Sequence, residues 1–470
     1  MLVIFGFSMI AVFMYLIMSK RITPVAALIV VPTVFALFAG AGMGFSDMIM
    51  EALLKLAPTA ALLFFAITFF GIMIDVGLFD PLIRLILKFV RNDPMKLVVG
   101  TALLTSIVSL DGDGSTTFII VTSAFLPIYL KLRMSPVVLT VVAATANGVL
   151  NTVPWGGSTA RAAAALNVSP IDIFVPMIPS IVAGLIAVLV LAYFLGRSER
   201  KRVGMLTLDC ESVEEAALVG SSGGTGKTPD SDNTARGPAH PSAGGDDVSD
   251  FAELPTVGDH LERPKARPKL VWINFALTAA VMTLLVLGTL APPVILMLGV
   301  GIALIINFPR VSEQADQLKS HASSVVSVVA LVFAASVLTG VLSGTGMVEA
   351  MAQWLVEIIP TSFGPHLAIV TGLLSLPLTF FMSNDAFFFG VLPVLNETAS
   401  HYGIAPEEMA RAAIIGQPLH TSSPLVASFL LLVGLAKVEL GDHQKKAIWR
   451  ACLVGLVMLV VGILFAAYPG

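Results

Sequence analysis

Ten predominantly apolar runs, each about as long as a bilayer is thick, constrain this chain more than anything else in it. They lie at about 1–19, 22–40, 58–79, 136–166, 173–195, 270–289, 292–308, 322–343, 405–435 and 451–468, and a helix crossing the hydrocarbon core needs roughly 20 apolar residues. Barrel strands would be about 10 residues long and would alternate in polarity, and these runs do neither. Mean hydropathy is +0.90 and only 12% of residues are charged, against about 25% in soluble domains. A soluble enzyme is excluded, and the chain reads as an all-α polytopic membrane protein. The first run is followed by Lys20 and Arg21, whereas a cleaved signal carries its charge in front, so this run is expected to remain a span. Cys210 and Cys452 imply no disulfide framework. Basic residues flank the runs rather than forming a stripe, which argues against a nucleic-acid partner.

Two further apolar pairs, about 97–130 and 365–400, are each broken by a polar cluster: Asp111-Gly112-Asp113-Gly114-Ser115-Thr116-Thr117 and Ser383-Asn384-Asp385. Both read as re-entrant helical hairpins, because non-helical backbone at membrane depth is tolerated only where protein or a water-filled cavity satisfies it. Residues 197–269 contain roughly 23 of the charged residues together with Gly/Ser-rich stretches, the composition of a disordered linker. The linker's Gly220–Thr228 segment imitates a phosphate-binding loop, but its glycine falls one residue early and no strand precedes it. The linker separates a first repeat, 1–196, from a second, 270–470. Each holds five spans and one hairpin, and the halves match at an offset of about 270: Pro136 with Pro406, Pro154 with Pro424, and Asn147 with Gln417. An odd number of spans per half makes the repeats inverted, as in secondary transporters whose sites form where broken helices meet. Basic clusters at Lys20-Arg21, Arg84 to Lys96, Arg197 to Arg202, Arg263 to Lys269 and Lys437 to Arg450 place the linker in the cytoplasm and both termini outside.

Ionisable groups inside a membrane are expensive, so each is a functional candidate. The first half contributes Asp111, Asp113 and Arg161, and the second Asp385 and His420. Asp111 and Asp113 occupy a Gly-rich turn able to hold a cation or proton, with helix capping as the plain alternative. Ser115 and Thr116 would open the second hairpin helix, whose free N–H groups favour a carboxylate. In Asn147-Gly148-Val149-Leu150-Asn151-Thr152-Val153-Pro154-Trp155-Gly156-Gly157, Pro and Gly interrupt a helix and expose polar groups. Asn147, Asn151, Thr152, Gly156 and Gly157 therefore enter a candidate substrate site. Arg161 offers a planar clamp for a carboxylate, or else snorkels to the interface. Gln417-Pro418-Leu419-His420-Thr421-Ser422-Ser423-Pro424 repeats the design, adding His420, Thr421 and Ser422, while Asn384 and Asp385 mark the second hairpin tip. No second intramembrane His is expected to pair with His420, and no His-Glu-x-x-His or Gly-x-Ser-x-Gly motif occurs.

Ser109-Leu110-Asp111-Gly112-Asp113-Gly114-Ser115-Thr116-Thr117 and Val153-Pro154-Trp155-Gly156-Gly157-Ser158-Thr159-Ala160-Arg161 resemble the citrate-metal:proton symporter family of bacterial carriers, over nearly the whole chain except the linker. That resemblance implies a multi-pass carrier of the bacterial inner membrane, similar to divalent-anion:sodium symporters and working as an elevator-type homodimer. The implied cargo is citrate with Mg2+ or Ca2+, moved with protons and with no permanently bound cofactor. Asp111, Asp113, Asp385 and His420 would then be the proton or metal partners. A gluconate-like or dicarboxylate carrier, or a cation:proton antiporter, is the alternative on the same plan.

Overall fold

The computed structural model describes residues 1–19, 21–39, 42–90, 93–112, 114–203, 265–358 and 362–469, and every regular element among them is helical. The first half comprises α1 (Leu2–Met18), α2 (Pro24–Phe38), α3 (Phe45–Asp75), α4 (Asp80–Val90), α5 (Pro94–Val108), α6 (Gly114–Lys131), α7 (Pro136–Leu150), α8 (Gly157–Leu166) and α9 (Pro170–Val203). The second comprises α10 (Val271–Leu287), α11 (Pro292–Asn307), α12 (Val311–Ser320), α13 (Ala322–Gly344), α14 (Met347–Ile358), α15 (Leu367–Phe381), α16 (Leu392–Ser400), α17 (Pro406–Ala413), α18 (Gln417–His420), α19 (Ala427–Leu435) and α20 (Leu440–Leu464). Many open on proline, which pre-sets φ and needs no partner for its missing N–H. Side chains finish other starts: Thr23 Oγ1 accepts from the Ala26 amide at 3.3 Å and Asp93 Oδ1 from the Met95 amide at 3.0 Å.

Elements recur at an offset of about 270 residues, and so do the left-handed residues that end them. Gly77 (φ 81°) answers Gly346 (72°), Arg133 (53°) answers Gly403 (79°), and Asn167 (56°) answers Lys437 (51°). A left-handed residue just past a helix lets backbone N–H groups satisfy its last carbonyls. At Arg133 and Lys437 a side chain tolerates the geometry that glycine adopts freely elsewhere.

Helices α3 and α13 pack along each other, and each also holds the second helix of the opposite half, α11 on α3 and α2 on α13. Small residues permit the approach. A Cβ on Gly340 would stand 2.7 Å from the Met48 carbonyl oxygen, and close van der Waals packing is what holds helices together where lipid is as apolar as the core. A second body gathers α5–α9 with α15–α20. Trp155 ties the two together, its ring stacked 4.2 Å from Phe70 of α3.

The expected linker is ordered at both ends. α9 continues to Val203 because Glu199 pairs with Arg202 at 2.6 Å and accepts the Ser135 amide at 3.0 Å. At the other end Arg267 donates its amide to Val76 O (2.9 Å) and Lys265 Nζ donates to Gln317 Oε1 (2.8 Å). Gln317 in turn donates to Asp75, which also sits 3.2 Å from His321 Nε2. Residues 204–264, Asp113 and the side chain of Asp111 lie outside the described residues.

Candidate functional site

Pro154, Gly156 and Gly157 stop α7 and start α8 on a new line, and the two ends satisfy one another. Asn151 Oδ1 accepts the Gly157 amide at 3.1 Å, while Ser158 Oγ donates to Asn151 O (2.6 Å) and Thr159 Oγ1 to Thr152 O (3.0 Å). Orphan carbonyls at the end of one helix thus receive hydroxyls from the first turn of the next. Gly156 is required by space: a Cβ there would fall 2.2 Å from Asn151 O. Thr152 turns its hydroxyl back to Val149 O at 2.6 Å.

The second break is built differently. Its helix divides into α17, a 3-10 turn at Ile414–Gly416 and the short α18, where Pro418 removes a donor. Thr421 Oγ1 donates to Ala144 O (2.8 Å) and Ser423 Oγ to Phe380 O (2.6 Å). His420 Nδ1 lies 2.6 Å from Thr379 O. The helices cross where Gly148 faces Pro418, since a Cβ on Gly148 would meet Pro418 Cα at 2.6 Å.

Around that crossing the two hairpin tips and the two breaks form one polar network. Asn147 Nδ2 donates to Ser109 Oγ (3.0 Å), and Trp155 Nε1 to Leu110 O (2.7 Å), which fixes the first tip. Gln417 and Asn384 exchange a reciprocal amide pair at 3.1 and 3.2 Å, and Asn151 Nδ2 donates to Gln417 Oε1 at 2.8 Å. Arg161 Nε donates to Asp385 Oδ1 at 2.5 Å and Nη1 to Gly157 O at 2.8 Å. Each hairpin rests on the other half's broken segment, α6 on α19 and the second arm, π-helical over Ala386–Val391, on α8. A Cβ on Gly114 would stand 3.0 Å from Ser428 Oγ and 3.3 Å from Asn147 Oδ1. The N-termini of α6, α8 and α19 therefore gather at this network, and with Arg161 they make it attractive to an anion.

Of the residues singled out from sequence, Asn147, Asn151, Gly157, Arg161, Asn384 and Asp385 meet here, and Ser115 and Thr116 open α6 at its edge. Gly156, Thr152 and Thr421 shape the breaks, and His420 faces Thr379. Gln417, noticed in the sequence only as the counterpart of Asn147, is the hub, fully buried with bonds to both halves. No contact joins His420 to a second histidine among the described residues, but the sequence reading passes over His443. His443 is fully buried one turn into α20, its Nδ1 3.0 Å from Thr140 Oγ1 and its Nε2 3.2 Å from Ser422 Oγ. No group of three or more His, Cys, Asp or Glu able to hold a metal occurs among the described residues.

A family model described as citrate transporter matches residues 13–416. A citrate transporter of Bacillus subtilis is 46% identical over 99% of both chains. A Bacillus subtilis protein named Mg(2+)/citrate complex secondary transporter is 44% identical, again over 99% of both. A solved structure, the YdaH transporter of Alcanivorax borkumensis, aligns with a TM-score of 0.49 at 14% identity, over 88% of this chain and 86% of that one.

Proposed function

The chain belongs to the citrate transporter family, and from that premise we propose that it carries citrate, complexed with Mg2+ or Ca2+, across the bacterial inner membrane together with protons. It is a membrane carrier and not an enzyme. The name of its Mg(2+)/citrate relative supports a complexed cargo, and so does the charge of the site. Citrate is a trianion, and one divalent ion leaves a single negative charge. One guanidinium and the gathered helix N-termini suit such a cargo.

The observation that carries the reading is the Arg161–Asp385 pair, 2.5 Å long and formed between the two halves. Without cargo, Asp385 neutralises Arg161. A cargo carboxylate that takes the guanidinium leaves Asp385 without its cation in a largely buried place, where an unpaired charge costs several kcal/mol. A proton, or the cargo's own metal ion, then neutralises it, so anion and proton bind together. With one proton the cargo is neutral. With two it is positive, and the membrane potential drives entry by about 2.3 kcal/mol per charge per 100 mV.

The recurrence at about 270 residues supports two inverted repeats, with the 97–130 and 365–400 pairs as re-entrant hairpins. The division into two packed bodies supports an elevator, in which the body of α5–α9 and α15–α20 moves past that of α1–α3 and α10–α13, within a homodimer. Termini outside and the 197–269 segment in the cytoplasm complete the arrangement. Labelled citrate uptake into proteoliposomes, with no divalent ion, with Mg2+ and with Ca2+, each with and without an uncoupler, tests the proposal. Uptake that requires one metal and collapses with the uncoupler supports it. Metal-indifferent citrate uptake overturns the complexed cargo, and absence of citrate uptake turns the question to gluconate-like acids, dicarboxylates and cation:proton exchange.

A further inference from the structure

His443 has no part in the mechanism above, yet both of its ring nitrogens are held by hydroxyls, Thr140 Oγ1 on one side and Ser422 Oγ on the other. Thr140 has one hydroxyl hydrogen and spends it on Val137 O at 3.0 Å. With the hydroxyl so placed, its oxygen accepts from His443 Nδ1 at 3.0 Å, and this is the arrangement, with a hydrogen on Nδ1, on which the inference is built. A neutral imidazole then has a bare Nε2, and Ser422 Oγ, 3.2 Å away, must donate to it. The result is a one-way chain from Ser422 through His443 and Thr140 to Val137 O.

The ring is fully buried and lies 4.6 Å from the Phe429 ring. Several charged groups on α20 and on the elements packed around it have other partners, while Arg197 and Lys201 of α9 and Lys446 of α20 lie at the same basic end. His420 faces Thr379, Glu199 at the basic end of α9 holds Arg202, Asp442 pairs with Lys445, and Arg450 donates to Lys446 O. Lys437 and Glu439 precede the helix. Yet the ring is only one residue from exposed Asp442, at the end of α20 that the basic flanks assign to the cytoplasm, and on its other side it touches the second break.

We propose that His443 is a proton-responsive positioning residue for the second broken helix. When a proton reaches Nε2, that atom becomes a donor and Ser422 Oγ must accept from it. The Ser422 hydroxyl hydrogen is then released towards another acceptor, a carbonyl of the break or a carboxylate of the cargo. One proton is added to Nε2, the Nε2–Ser422 hydrogen bond reverses, and the freed Ser422 hydroxyl makes one new hydrogen bond; no covalent bond is broken. The protonated ring places a positive charge against Ser422 of the second break, and through that break cargo and proton favour each other's binding. The inference rests on the proton-coupled reading above and supplies it with a second protonation besides that of Asp385.

The direct test is 15N NMR of the full-length protein with labelled histidine, His443 assigned by comparison with H443Q. Without cargo at alkaline pH, His443 should show a protonated Nδ1 and a bare Nε2, and addition of Mg2+ and citrate should favour the doubly protonated ring. The opposite tautomer, or a ring indifferent to cargo, overturns the proposal. Transport gives a second readout, because Gln can supply one donor and one acceptor but takes up no proton. H443Q should retain citrate exchange while net uptake loses the roughly tenfold-per-pH-unit limb that one obligatory proton imposes. An unchanged pH profile in H443Q, or loss of exchange in H443Q that still melts like the parent protein, refutes it. If H443Q does not fold, the cargo-dependence of the wild-type histidine spectrum decides. Failure of citrate uptake by the wild-type chain would defeat the earlier reading while leaving the tautomer measurable.

Discussion

Replacing Asp385 by Asn separates two roles that the Arg161 contact makes distinguishable. In the structure Asp385 occupies the guanidinium that an anionic cargo would need, at 2.5 Å, with 12% of its side chain exposed and 25% of that of Arg161. Two unit charges about 4 Å apart interact by ~4 kcal/mol at an effective dielectric near 20. Solvent reaching Arg161 screens part of that, and Asn still offers an oxygen to Nε, leaving about 1–3 kcal/mol as the competition that D385N removes. Metal-citrate should therefore bind D385N roughly 5–150-fold more tightly than the parent protein near neutral pH. The tightening should vanish in the R161Q/D385N double variant. Titration calorimetry in nanodiscs gives the affinity, and uptake against exchange in proteoliposomes gives the coupling. D385N should exchange cargo readily but lose proton-driven accumulation. If D385N instead binds more weakly, Asp385 is a ligand of the cargo's metal rather than a rival of its carboxylate, and the competition argument falls.

Three further outcomes follow from the packing. In G148A the new methyl would meet Pro418 Cα at 2.6 Å and Gln417 O at 2.7 Å; both are backbone atoms, so the crossing must open, with a loss of about 1–3 kcal/mol seen as a lower melting temperature and abolished uptake. Asn274 and Asn307 form a buried reciprocal amide pair at 2.8 and 2.9 Å in the other body. N274A orphans its partner and should cost ~1–3 kcal/mol in stability, while the KM for cargo stays within twofold, a ceiling of about 0.4 kcal/mol; a large change in KM would show that the two bodies are not separable. W155F keeps an aromatic ring against Phe70 but deletes the bond to Leu110 O (2.7 Å). A lowered maximal rate with a stability loss of only about 0.5–1.5 kcal/mol is expected, and an unchanged rate would show that the first tip needs no such anchor.

The sequence displays some of these elements plainly and hides others. Long apolar runs reveal helices because a bilayer demands continuous apolar length, and Pro154 with Gly156-Gly157 reveals the first break because no helix interior accommodates them. Partners are another matter. Ser158 and Thr159 look like part of a polar lining, yet their hydroxyls serve the carbonyls of Asn151 and Thr152. Gln417 shows its alignment with Asn147 but not its bonds to Asn384 and Asn151, because those join residues from separate segments that only the fold brings together. Arg161 could be read as clamp or as snorkelling side chain, and Asp385, 224 residues away, is what places it.

His443 is the more instructive omission, since its signal was present in the local spacing. It stands among Lys437, Asp442, Lys445, Lys446 and Arg450, a run whose charge density reads as a cytoplasmic flank. The 3.6-residue period separates it from them: His443, Ala447, Ala451, Val454 and Met458 fall on one face, and all are buried. A histidine in register with small and apolar residues is inside even when its neighbours in sequence are not. Positioned there, it touches Ser422 of the second half and Thr140 of the first, so its protonation bears on a contact between the halves. Asp385 does the same through Arg161. Both titratable groups therefore sit where one half meets the other, which is where a proton must act if its binding is to be felt by the cargo and by the movement that carries it.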